Sequence, residues 1–386
     1  MEKVDILFVG GSFPMPDAGG SINYVIHLLT GIDDMSYTVL TANWKFEQNQ
    51  CFDTKYKHKI IRSKLIRHAL NSNPGNFFNR NIRLLYSIFY VALCILRYKP
   101  KIVFFTEYSF LSIGYYLTNP LVHAKLGLFT YSEEIHMILN HPFHYRMLKR
   151  VLKDSNILIT VCEYTKKMLI NIEKTIENKV VTIIPPVVIP QTQPIANKSS
   201  NRSIILLTVA RLVERKGHVD VLEALARLKH KYSNIRYVIV GEGPYENIIR
   251  KRISDLSLNH FVDLKGKVSE SELEHYYSSS DVFVMPHKQL KNGDTEGCPT
   301  VFLEASLHKL PVIGGEAGGV SDAIVDGVTG YICHLGTDEL YLYLDKLISS
   351  QPLRISMGES GYEYATQFSI HNQSGIFRKL IIDKLK

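Results

Sequence analysis

The sequence predicts an α/β protein built from two doubly wound domains facing a cleft. Three observations carry that expectation. Apolar runs of strand length alternate with segments of helical period, as in βαβ units. The alternation breaks once, between Pro185 and Arg202, where Pro, Asn, Gln and Ser give the composition of a linker, and then restarts. A length of 386 residues is enough for two separate cores.

The first series opens with Val4 to Gly10, an apolar run closing on glycine, as a buried parallel strand does. The stretch Gly10 to Gly20 is dense in Gly and Pro, and a helix from Ser21 would carry Tyr24, Val25, Leu28 and Leu29 inward. Such a loop lets backbone approach a phosphate or sugar closely. Its spacing is not the G-x-G-x-x-G of a dinucleotide site. Further strands are expected at Tyr37–Thr41, Ile102–Thr106, Leu126–Tyr131, Asn156–Val161 and Val180–Ile184, with helices over 146–153 and Thr165–Ile172. Ser132 to His136 follow a strand at its carboxyl end, where open α/β sheets hold ligands. The second series places strands at Ser203–Val209, Arg236–Val240, Val262–Leu264, Val282–Met285 and Val312–Ile313. Between them fall helices over Val219–Lys231, 245–256 and 270–279, and one opening at Pro299. The expected division is 1–185, a linker over 186–202, a second domain over 203–365 and a final helical segment over 366–386.

Hydrophobic content of 45% and charged content of 21% describe an ordinary globular chain. Forty-five basic against 37 acidic residues leave +8, which favours an anionic partner. Cys51, Cys94, Cys162, Cys298 and Cys333 are scattered without a C-x-x-C pair, which argues for a reducing compartment and against zinc. The N-terminus runs directly into the first strand, so no signal peptide is expected. Leu84 to Leu96 is apolar but shorter than the ~20 residues of a spanning helix. It reads as a helix packed by protein on both sides, and the chain as cytoplasmic, with peripheral attachment to the inner face of the cell membrane as an option.

From Thr54 to Thr106 there is no Asp or Glu, while Lys55, Lys57, Lys59, Arg62, Lys64, Arg67, Arg80 and Arg83 accumulate. Two readings stand: an anionic membrane surface met through segment 55–83, or a solvated basic face. No nucleic-acid module accompanies the charge, so no nucleic-acid partner is expected.

The candidate chemistry centres on Gly293 to Ser306, where Glu296 lies in a Gly-bearing loop and Glu304 more than a turn inside the helix after Pro299. Two carboxylates near a helix N-terminus suit the hydroxyls of a sugar or ribose; a capped helix start followed by a half-buried glutamate is the alternative. Arg211 and Lys216 lie in a strand-to-helix loop, offering a planar fork and a compact charge to phosphate oxygens, or else two solvent cations.

A strand followed by Arg211-x4-Lys216-Gly217, a strand ending in Gly241-Glu242-Gly243-Pro244, and Glu296-x7-Glu304 occur in this order within one domain. Together with Leu264 to Val268 and Gly314 to Gly330, they resemble the retaining glycosyltransferases of family 4, which have the GT-B fold. The resemblance is concentrated in residues 203–335 and continues through Gly19-Gly20 and Ile135-His136. It implies that Arg211, Lys216 and the backbone at Gly20 hold the donor diphosphate. Glu296, with Gly297 and Cys298, would bind the transferred sugar, Glu304 the ribose, and Val268 the base. His136 would lie near the donor sugar, and Glu296, His136, Lys216 and Arg211 would form the catalytic set. Pro299 removes one N–H that could otherwise contact the sugar. The implied reaction moves a hexose-type sugar, from a UDP-sugar ahead of a GDP-sugar, to a lipid-linked glycan in bacterial surface polysaccharide or glycolipid biosynthesis. Anomeric configuration would be retained, with no metal or other cofactor. A nucleotide-sugar 2-epimerase and a silent nucleotide-binding partner are the alternatives. The last helix is expected to cross back to the first domain.

Overall fold

A computed structural model describes residues 3–11, 20–43, 53–54, 56–66, 77–139, 141–190, 203–291, 293, 295–334 and 336–386. Most of the loop 10–20, Cys51, Lys55, Arg67, Asp294 and residues 191–202 of the expected linker lie outside them. The chain divides into two compact units, residues 1–186 with 370–386, and residues 187–369.

In the first unit the described residues form β1 (Ile6–Gly10), α1 (Gly20–Leu29), β2 (Tyr37–Ala42), β3 (Lys59–Ser63), α2 (Phe77–Tyr98) and β4 (Ile102–Phe105). There follow α3 (Ser112–Val122), β5 (Lys125–Thr130), α4 (Ser132–Leu139), α5 (Pro142–Asp154), β6 (Ile157–Thr160), α6 (Glu163–Ile172) and β7 (Val180–Thr182). The seven strands pair in the order β3-β2-β1-β4-β5-β6-β7, every pairing parallel. The inner strands β1, β2 and β4 are buried along their whole length, which is why they read as continuous apolar runs. β3 did not stand out in the sequence because it is an edge strand, half-exposed and bearing Lys59 and Arg62.

The second unit holds β8 (Ile204–Val209), α7 (His218–Leu228), β9 (Ile235–Val240), α8 (Glu246–Asp255), β10 (Val262–Gly266), α9 (Glu270–Ser279) and β11 (Val282–Met285). It continues through α10 (Val301–Leu307), β12 (Val312–Gly315), β13 (Gly330–Cys333), α11 (Gly336–Ser349) and α12 (Gln351–Thr366). Its six strands pair in parallel as β10-β9-β8-β11-β12-β13. The order reverses direction between β8 and β11, so the loops after these two strands flank a topological switch point.

The last helix, α13 (Ile370–Leu385), belongs to the first unit. Phe377 is fully buried, its ring 6.0 Å from Phe104 and 5.8 Å from Phe129. Arg378 donates to the Gly31 carbonyl at 2.8 Å and pairs with Asp34, whose carboxyl it holds down at about 2.

Two expectations change. The Leu84–Leu96 run is part of a 22-residue helix that is not packed on both sides, because Leu85, Tyr86, Phe89 and Leu93 are exposed. Within the basic segment, Arg62 donates twice to Asp53 at 2.7 Å and Lys57 pairs with Asp33 at 2.8 Å. Part of that charge is therefore neutralised by acids outside the segment rather than presented as a uniform basic face.

Candidate active site

The site in the second unit is built from three loops that leave the carboxyl ends of neighbouring strands β8, β11 and β12. After β8, residues Glu214–Lys216 make a single 3₁₀ turn that ends on Gly217 in the left-handed conformation, φ +74°. A Cβ at Gly217 would lie 2.3 Å from the Pro286 carbonyl, so only glycine allows the loop this close to the one after β11. The turn directs two successive cations at one acid. Lys216 Nζ lies 2.6 Å from Glu296 Oε1, and the Arg215 guanidinium meets the same oxygen. All three side chains are largely buried.

Glu296 is held from its other side by the loop after β12. The backbone N–H of Gly319 donates to the Gly297 carbonyl at 2.8 Å. Gly318 has φ +56°, and a Cβ there would stand only 1.8 Å from the Glu296 carbonyl oxygen. His287, fully buried just after β11, places Nε2 3.0 Å from the Ala317 carbonyl and so ties the same loop down. Burial holds its pKa down at about 4, with Lys216 and Arg215 adding to the effect. The ring is therefore neutral at pH 7 and carries one N–H, while carbonyl oxygens face both nitrogens: Ala317 at 3.0 Å from Nε2 and Met285 at 3.3 Å from Nδ1; the shorter contact assigns the proton to Nε2.

His218 opens α7 directly behind the cation pair, and burial likewise lowers it to about 4, against a smaller opposite pull from the Arg211 carbonyl. The unfolded chain protonates both rings near 6.5 while the native state resists until about 4, so stability is lost as pH falls through this window. Each ring contributes a slope of at most ~1.4 kcal/mol per pH unit. Glu304, raised by burial, and His334, raised by its hydrogen bond to Glu316, act in the opposite sense, while His27 and His144, both lowered by burial, act with the two rings. Urea midpoints should therefore drop between pH 7 and pH 5; equal midpoints would contradict neutral burial of the two rings.

Pro299 is buried, and the Phe302 N–H donates to its carbonyl at 3.2 Å, which starts the chain turning ahead of α10. Glu304 is the fourth residue of α10, in its first turn rather than beyond it. It retains some exposure, yet Tyr277 donates to Oε2 at 2.9 Å and Thr300 to Oε1 at 3.1 Å. α12 backs this helix, with Gly361 against Ser306 and Gly358 against the Lys309 carbonyl. Gly297 and Cys298 are half-buried in the Glu296 loop, and Cys298 lies near Tyr364, whose phenol is raised by burial first and then by Asp322 and Cys298.

On the other side of β8, Gly241 and Gly243 press against the Arg211 loop. Their Cβ atoms would fall 2.0 Å from the Ala210 carbonyl and 2.3 Å from that of Leu212. The Leu212 N–H donates to the Glu242 carbonyl at 2.9 Å. Arg211 itself is exposed. Val268, half-buried, follows β10, which ends in a register shift at Gly266, φ +67°.

Thus Lys216 and Glu296 are in direct contact, with Gly297 and Cys298 in the same loop, while Arg211, Glu304 and Val268 sit on adjoining segments of the unit. Gly20 and His136 belong to the first unit. Gly20 opens α1, and His136, on α4, has Nε2 3.3 Å from the Tyr164 hydroxyl. Sequence reasoning missed Arg215, Gly318 and His287. The only signal for Arg215 was its place beside Lys216 ahead of Gly217. Among the described residues no group of three or more His, Cys, Asp or Glu is gathered that could hold a metal ion.

Comparison with known proteins adds to this geometry. Residues 191–364 match the family profile of Glycosyl transferases group 1. A GDP-mannose-dependent alpha-(1-6)-phosphatidylinositol monomannoside mannosyltransferase of Mycobacterium tuberculosis is 32% identical over 163 residues, 42% of each chain. The amylovoran biosynthesis glycosyltransferase AmsK of Erwinia amylovora is 32% identical over 155 residues, 40% of this chain and 36% of that protein. The aligned stretch thus spans about two fifths of each of these curated relatives. The crystal structure of a glycosyltransferase from Rickettsia africae superposes over 100% of both chains with a TM-score of 0.74 at 19% identity. Over its second unit the chain is therefore similar to the group 1 glycosyl transferases, and its fold is GT-B.

Proposed function

We propose that this chain is a retaining hexosyltransferase that moves a sugar from a nucleoside diphosphate donor to a lipid-linked glycan. The observation that carries the reading is the meeting of Lys216, Arg215 and Glu296 at the switch point of the second sheet. Cleaving a sugar–phosphate bond builds negative charge on the departing diphosphate, and fixed cations aimed at that charge stabilise it without reorganising. The Glu296 carboxylate, met by both cations, keeps them positioned. A bound diphosphate would take over the cations and leave the Glu296 carboxylate for the sugar hydroxyls.

In this reading the acceptor oxygen bonds to the anomeric carbon on the face from which the diphosphate leaves. The carbon–oxygen bond to phosphate breaks, and the acceptor proton passes to the leaving phosphate oxygen. Glu296 positions the sugar and Glu304 clamps the ribose, with Tyr277 and Thr300 aiming its carboxylate. Val268 lies against the base and Arg211 adds a second fork to the diphosphate. For Gly20 and His136 we retain the roles the resemblance implies, a backbone contact to the diphosphate and a contact to the donor sugar. The mycobacterial relative is named for GDP-mannose, which supports a guanosine donor as a candidate beside the uridine donor that the resemblance puts first. The names of both relatives, a phosphatidylinositol mannoside enzyme and a polysaccharide enzyme, support a lipid-linked or polymeric glycan acceptor.

The test is turnover of UDP-hexoses and GDP-mannose with a lipid-linked acceptor, reading the anomer of the product. One donor should be consumed with its α configuration kept, and EDTA should leave the rate unchanged. An inverted anomer would overturn retention, loss of rate in EDTA would overturn metal independence, and inversion at C2 without acceptor would make the protein an epimerase.

A further inference from the structure

Helix α2 buries one face and bares another. Ile88, Val91, Ala92 and Ile95 turn inward, and α3 closes on them at Gly114, where a Cβ would lie 2.8 Å from the Ile88 carbonyl. On the other face Leu85, Tyr86, Phe89 and Leu93 are 66%, 57%, 61% and 47% exposed. Their spacing of i, i+1, i+4 and i+8 is one stripe of an α-helix. Single exposed apolar residues are ordinary, but a contiguous stripe of four large ones marks an interaction surface. Arg83 lies one turn before Tyr86 and Arg97 one turn after Leu93, both exposed. With no Asp or Glu between Thr54 and Thr106, every fully charged side chain of the helix has the same sign.

We propose that this stripe is a membrane-docking face that lays α2 in the headgroup–acyl boundary of an anionic bilayer. Leu85, Phe89 and Leu93 enter the acyl layer, Tyr86 sits at the boundary, and Arg83 and Arg97 meet lipid phosphates. The helix lies in the surface and does not cross it: among the described residues no helix is long and apolar enough to span a membrane. Charge argues against a second copy of the chain as occupant. A two-fold pairing of this stripe would set arginines against arginines, with no acid on either helix to receive them. The inference rests on the membrane-associated acceptor of the proposed function, but not on the transfer chemistry.

Co-sedimentation with vesicles of phosphatidylcholine mixed with phosphatidylglycerol, without any sugar nucleotide, tests it. The intact protein should bind these vesicles and bind pure phosphatidylcholine far less. Leu85→Ser/Phe89→Ser/Leu93→Ser should weaken binding by about tenfold or more, with melting temperature and nucleotide binding unchanged. Arg83→Gln/Arg97→Gln should weaken binding to the anionic vesicles at low salt. The proposal is overturned if the triple serine variant binds as the intact protein does. It is equally overturned if the intact protein is a dimer in solution that the same variant converts to monomer. Because no donor is present, failure here is distinct from failure of the transferase reading, which turnover and nucleotide binding report.

Discussion

Replacing Lys216 with alanine lowers turnover by about 10²–10³-fold, the range found when one preorganised charge-stabilising group is removed from an active site. The fold survives the change. Lys216 ends a 3₁₀ turn whose shape depends on Gly217 against Pro286, not on the ammonium group. Breaking a buried ion pair is normally costly because one charge is left alone. Here Glu296 keeps the Arg215 guanidinium, so the acid is not abandoned. A melting temperature close to that of the intact protein, together with the lost rate, separates a chemical role from a structural one. Unchanged turnover would remove Lys216 from the diphosphate site.

The second large effect is expected at a residue without a side chain. Gly318→Ala forces a Cβ into the Glu296 carbonyl oxygen, 1.8 Å away, at a backbone angle that L-residues rarely adopt. Left-handed backbone costs about 1–2 kcal/mol, and displacing the carbonyl adds roughly 1–3 kcal/mol of overpacking. The chain carrying Glu296 has to move, and a shift near 1 Å at a positioning group costs about a hundredfold in kcat/KM. Gly327→Ala is the control. Its φ of +73° imposes the same backbone strain, but no atom lies within 4 Å of the added Cβ. It should lose stability and keep full activity. Equal kcat/KM for the two variants would show that the loop after β12 does not position Glu296.

The contrast between Lys216 and Gly318 also shows what could be read from the sequence. The central strands were visible because a strand buried on both faces is an uninterrupted apolar run, as in Ile6–Gly10 and Val282–Met285. Edge strand β3 lacked that signature, being only partly covered, whereas β13 is buried at three of its four residues but opens on Gly330, which leaves too short an apolar run to stand out. Helix α3 was hidden by Gly114 and Pro120, although the first is what lets it pack tightly on α2. At the candidate site, Lys216, Glu296 and Glu304 stand out in the sequence because a cation in a strand-to-helix loop and carboxylates beside a helix start suit phosphate and sugar ligands, and the structure brings the first two into contact. Arg215 was not: a cation between a glutamate and a lysine looks like surface until the turn before Gly217 swings it onto Glu296. Gly318 and His287 act through contacts to distant backbone carbonyls, which local sequence does not encode. The bare stripe on α2 was hidden for a related reason. An apolar helix looks the same in sequence whether one face or both are covered, and only packing tells which.

The central claim is that the second unit binds a nucleoside diphosphate through Lys216 beside Glu296. Calorimetric titration of the intact protein and the Lys216→Ala variant with UDP and with GDP measures this most directly. One nucleotide should bind the intact protein, and the variant should bind it at least about tenfold more weakly, a loss of ~1.4 kcal/mol. Equal affinity in the two proteins, or no binding of either nucleotide to the intact chain, would contradict the claim.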